Sequence, residues 1–225
     1  MSEWWTYRLS SFLLFSPRTY HRLFELYNRA VFPAQALALG FGLWILFSSW
    51  RGSEAPRRAV PAMLAACWLF VAVAFLALRY ASINFAAPYF AWAFGLEAAL
   101  LVVVGVVRRG LALDRPTGAV ARAGMAMFAF ALLVEPLAGP LLGRGWRAIE
   151  VFGVAPDPAA VATLGLLLAA RGPGRAVLMI IPVLWCLTTG AFLAAMDAPD
   201  AWVPPAAAAL AVGLAVRQAW TRRRM

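Results

Sequence analysis

"YFAWAFGLEAALLVVVGVVRR" occupies residues 89–109, nineteen mostly apolar residues closed by Arg108 and Arg109. A run near twenty residues is what a helix needs to cross the hydrocarbon core of a bilayer. Comparable runs recur at roughly 30–50, 60–80, 119–139, 156–170, 176–196 and 203–219. The expected fold is therefore all-α, a polytopic transmembrane helix bundle of about seven spans. Composition agrees: of 225 residues, 64% are hydrophobic and 13% charged, where soluble domains run nearer half and a quarter. Mean hydropathy is +0.77. The runs divide the chain into an N-terminal segment (1–29), a membrane domain (30–219) and a short basic tail (220–225).

The net charge of +10 would point a soluble chain toward nucleic acid. Here the basic residues flank apolar runs, so the positive-inside rule accounts for them and no nucleic-acid partner is expected. Thirteen arginines fall on the side of loops 51–59, 108–118 and 171–175 and the C-terminus, against seven on the other. That bias places the C-terminus in the cytoplasm and, with an odd number of spans, the N-terminus outside. The acidic turn "DAPD" at 197–200 carries no arginine and fits an outer loop.

Residue types exclude several functions. All twenty basic residues are arginine, so no lysine exists to form a Schiff base with retinal or another carbonyl cofactor. One histidine, His21, and two isolated cysteines, Cys67 and Cys186, cannot assemble a multi-histidine or CxxC metal site. HExxH, GxSxG, P-loop and dinucleotide fingerprints are absent, and neither enzyme activity nor a cofactor is expected. Leu9–Phe15 is too short and polar-interrupted for the apolar core of a cleaved signal peptide.

Ser16-Pro17 opens a helix whose Tyr20, Leu23, Phe24 and Tyr27 share one face, with Arg18, His21, Arg22, Glu25 and Asn28 opposite. With Trp4, Trp5 and Tyr7, it reads as an amphipathic helix lying in the membrane interface. It would serve as an anchor or as a lid formed by His21, Arg18 and Arg22 over an outward-facing cavity. Segment 156–170 is short for a span. Asp157 reads as its N-cap and Pro158 as its first helical residue. Either a tilted helix is capped at the interface, or "VFGVA" before it is irregular backbone at depth, tolerated only where protein or water lines it.

"WWTYRLSSFLLFSPRTYHRLFELYN" at 4–28 and "FGVAPDPAAVATLGLLL" at 152–168 resemble a family of small bacterial multi-pass membrane proteins of unknown function, some loosely labelled permeases. The likeness runs the length of the chain. It implies an integral protein of the bacterial inner membrane and no particular chemistry.

Chemistry is most legible in the carboxylates. Glu97 lies within the 89–109 run, where a charge costs a few kcal/mol and must face protein or water. Glu135, before Pro136, stands near the outer end of the next run; a short loop between them makes these helices expected antiparallel neighbours. Arg79 is the nearest cation by topology, and Arg144 and Arg147 follow Glu135. Three readings follow: Glu97 in a structural ion pair with Arg79 or Arg147; Glu97 and Glu135 lining a hydrated cavity for a cation or protons; or arginines binding an anion, which Asp157 would repel. Pro136, Pro182, Thr188, Thr189 and Gly190 read as kink and packing features. The expected function is a transporter or binder of a small solute or cation, with Glu97, Glu135, Arg79 and Asp157 around an outward-facing pocket. The other reading is a structural subunit of a larger complex, docking a protein partner through the Trp-rich N-terminus.

Overall fold

The computed structural model describes residues 15–51, 56–113 and 115–223, and among these it is all-helical apart from turns and one isolated backbone bridge. Trp4, Trp5 and Tyr7 lie outside the described residues, as do Arg224 and Met225 of the tail. The Ser16 hydroxyl accepts from the Thr19 amide at 3.2 Å, and Pro17 with its fixed φ starts α1 (Pro17–Val31). The chain then bends by 85° about Phe32 and Pro33 into α2 (Ala34–Arg51). Next come α3 (Pro56–Phe70) and α4 (Ala87–Leu100), each running on into wider π-helical turns, Val71–Ala77 and Leu101–Val107. α5 (Ala119–Ala129) passes through another such stretch, Phe130–Val134, into α6 (Glu135–Leu141). The remainder is α7 (Pro156–Ala169), α8 (Arg175–Leu178), α9 (Ile180–Ala195) and α10 (Val203–Arg223).

All seven apolar segments of the sequence fall on helices, but they are not alike. Arg58–Ser82, Ala87–Val107, Ala119–Leu141 and Arg175–Ala195 are long and apolar enough to cross a membrane, which is consistent with a membrane protein. The bent pair α1–α2 makes a fifth if it is one broken span. α7 has 14 residues, about 21 Å of helix, too short to cross alone. Exposed aromatic side chains mark both ends of the bundle: Phe85, Tyr89, Trp146 and Trp202 at one, Trp50 and Trp220 at the other. Membrane interfaces favour such belts.

Every residue of α7 is buried, enclosed chiefly by α5, α9 and α10. The preceding residues 151–155 are buried too, in irregular conformation. Of the two readings of this segment, the structure has the second: a helix beginning inside protein. Its backbone groups are provided for, since the Val154 and Ala155 amides donate to the Val151 carbonyl at 3.1 and 2.8 Å, and the Val154 carbonyl accepts from the Tyr27 hydroxyl at 2.9 Å. Glycine lets α7 sit this close to α5. A Cβ on Gly165 would stand 2.6 Å from the Gly124 carbonyl oxygen, and one on Gly124 would stand 2.5 Å from that of Gly165. On α7's other flank the Trp68 indole donates to Thr163 at 2.8 Å, and Phe94 lies between the rings of Trp68 and Trp185, at 4.3 and 4.9 Å.

This arrangement corrects the expected pairing of helices. α4 packs on α3 and α9 and α5 on α7, so the two helices that carry Glu97 and Glu135 are not principal neighbours. Residues 108–118 between them are long enough to let the glycine-paired α5 and α7 associate instead.

α1 covers one end of the bundle. Tyr20, Phe24 and Tyr27 are buried, and the Phe24 and Tyr27 rings lie 4.7 and 5.1 Å from Phe75. The Asn28 amide donates to the carbonyls of Arg147 and Ile149, tying α1 to the loop beneath it.

Candidate functional site

At that covered end the chain brings its acids together. Asp157 is the second residue of α7, not its cap: Ala155 holds the N-cap position in extended conformation and Pro156 is the first helical residue. The expected capping role is therefore corrected. Because this helix starts inside protein, the carboxylate turns across to α9, accepting from the Trp185 indole at 2.7 Å and the Thr189 hydroxyl at 3.0 Å. Trp185 and Thr189 are four residues apart and so share a face. The positive end of the α7 dipole adds to their stabilisation of the charge.

Glu135 arrives by another local device. Pro136 has no amide hydrogen, and the turn before it is widened so that the Glu135 amide donates to the Phe130 carbonyl, five residues back. Widening a turn shifts the phase of every later side chain. Glu135 thereby reaches the same cavity as Asp157, and its Oε2 is buried without a hydrogen-bond partner. Arg144 reaches in from the loop after α6. Its guanidinium is 3.8 Å from Glu150 Oε1 and directly bonded to Asp200 Oδ2, while Asp200 Oδ1 is buried and unpaired.

These five groups line a cavity of about 50 Å³ with an otherwise mostly apolar wall that includes Phe130 and Leu193. That is room for a few water molecules. Four carboxyl groups face one guanidinium across it, an excess of negative charge in a confined, largely apolar place. Glu150, on the loop, registers the cost: burial first, and the Asp157 charge after it, push its carboxyl up to about 8 against the opposing pull of Arg144. Among the described residues no three His, Cys, Asp or Glu side chains are placed to hold a metal ion.

Of the residues singled out from sequence, Glu135 and Asp157 meet in this cavity and the others do not. Glu97 is wholly buried on α4, with neither carboxyl oxygen hydrogen-bonded and no ion pair to a described residue. It has been withdrawn from lipid, yet it meets neither Arg79 nor Glu135. Arg79 is exposed and lines a separate surface groove with Arg18 and Arg22 of α1; His21 is partly buried beside Tyr20. Arg147 contributes its backbone carbonyl to Asn28.

The sequence does not single out Glu150, Asp200, Trp185 or Thr189 as site residues, and it offers Arg144 only as a cation after Glu135 and as one of the arginines of the anion-binding reading. The acidic "DAPD" turn was a usable signal, because it is acidic at the end of the bundle where Glu135 and Asp157 also lie. No curated protein and no solved structure matches the chain significantly. A family model, that of a family of unknown function, matches residues 18–225.

Proposed function

Given that the chain belongs to that family of unknown function, DUF6064, we propose from the site alone that it is a bacterial inner-membrane transporter exchanging protons at the acidic cavity. The covered end would face outward, as the arginine bias implies. The carrying observation is the surplus of acid: Glu135, Glu150, Asp157 and Asp200 around Arg144 in about 50 Å³. One guanidinium cannot neutralise four carboxylates, and the remaining charge must be met by protons or a very small cation. Protons fit best, since the space holds only a few waters.

Arg144 is the group through which protonation would be felt. It is bonded to Asp200 and stands near Glu150. A proton on either acid weakens its hold on the guanidinium, which then turns toward Glu135 and Asp157 and alters the packing between the loop, α6 and α9. Coupling a small solute to that movement makes a proton-driven carrier.

Proteoliposomes with a trapped pH-sensitive dye test this. Wild-type protein should collapse an imposed pH difference faster than empty vesicles, and Glu135→Gln and Asp157→Asn should each slow it at least about tenfold. Chamber variants that conduct like wild type, or wild-type vesicles no faster than empty ones, would overturn the reading. Loss confined to Glu97→Gln would move the proton site out of the chamber and onto α4.

A further inference from the structure

The polar side of α1 forms a second feature at the covered end, independent of the acidic cavity. Arg18 and Arg22 of α1 face Arg79, near the end of the span Arg58–Ser82 that α3 begins, across an open groove of about 390 Å³. All three are exposed. Arg22 also pairs with Glu25 at 2.5 Å, but Glu25 does not line the groove, and Arg18 and Arg79 have no ion-pair partner among the described residues. Three guanidiniums around one space repel one another unless an anion lies between them. The planar fork of arginine suits phosphate oxygens two at a time.

Apolar side chains complete the groove. Leu23, Leu26 and Ile83 line it as well, and Leu26 is 48% exposed. A free phosphate would leave them against water, whereas the glycerol and first methylenes of a lipid would cover them. Its walls are not loose. The buried rings of Tyr20 and Phe24 pack on Tyr80 and Phe75, so α1 is clamped to the turn that carries Arg79. Phe85 and Tyr89, exposed just after that turn, place the groove at the level where headgroups begin.

We propose that Arg18, Arg22 and Arg79 hold the phosphate of an anionic membrane lipid, with Leu23, Leu26 and Ile83 against its glycerol end. α1 is then fastened to the bilayer by a bound lipid, while its aromatic face holds it to the bundle. The test uses purified full-length protein with added phosphatidylglycerol or phosphatidylcholine, counting retained lipids by native mass spectrometry and following thermal melting. Wild type should keep phosphatidylglycerol in preference to phosphatidylcholine and melt higher with it. Arg18→Gln/Arg79→Gln should weaken that preference about tenfold, while Arg29→Gln, exposed on α1 outside the groove, should not. Ser82→Asp keeps all three arginines, sets a carboxylate in the groove, and should abolish the preference too. Equal phosphatidylglycerol retention by wild type and the double variant would overturn the proposal. So would equal retention of the two lipids, or full stabilisation by glycerol phosphate without lipid.

Discussion

Asp157 shows how a charge is kept inside this molecule: two side-chain donors from α9, a helix start behind it and one guanidinium nearby. Asn in its place preserves an acceptor for Trp185 and can donate to Thr189, so Asp157→Asn should melt within a few degrees of wild type in detergent while losing proton exchange. Asp157→Leu strands both donors and should cost roughly 2–4 kcal/mol, read as a lower melting temperature. Glu150 gives a pH signature. Its carboxyl titrates at about 8 in the fold against an ordinary 4.5. The native state therefore holds a proton that the unfolded chain has released, and stability should fall as pH rises from about 4.5 to about 8, then level off. Glu150→Gln should flatten part of that slope in melts taken from pH 5 to pH 8.5. Of the four cavity carboxylates, Glu135 and Asp157 were readable in the chain because acids in apolar surroundings are costly. Their partners were not, since Trp185 lies twenty-eight positions from Asp157 and Asp200 fifty-six from Arg144.

Glycines at the α5–α7 crossing and the widened turn before Pro136 act on whole helices. Gly165→Val would drive a branched side chain into backbone 2.6–2.7 Å away, forcing α7 off α5. A loss of about 3 kcal/mol or more, and a poor yield of monodisperse protein on size exclusion, should follow. Gly40→Ala meets nothing within 4 Å and should be tolerated or slightly stabilising by the same readout. Apolar periodicity reveals that helices exist. It does not reveal that α7 is enclosed on every side, because an enclosed helix and a lipid-facing one carry the same apolar residues. Nor does it show the wider turn at Phe130–Val134, which decides where Glu135 points.

If the bundle crosses a bilayer as its four long apolar helices allow, the loops joining them must emerge on alternate sides. Cysteines introduced by Phe85→Cys and Thr117→Cys, at opposite ends of Ala87–Val107, should react with an impermeant maleimide from opposite faces. On the orientation proposed from the arginine bias, residue 117 should react from the cytoplasmic face. Natural Cys67 and Cys186 are buried and should stay unlabelled until the protein is denatured. Labelling of both introduced cysteines from one side of sealed vesicles would refute a crossing between them. The amino-acid order alone was enough for the helical class, the seven apolar helices and the amphipathic α1, because hydrophobic run length and helical periodicity are local properties. Folding in three dimensions decided which helices touch, and with that it separated Glu97 from Glu135 and gathered Arg144, Glu150, Asp157 and Asp200 at one end. Backbone approach at Gly124 and Gly165 selects those neighbours, and close packing between distant segments leaves no mark in any one stretch of chain.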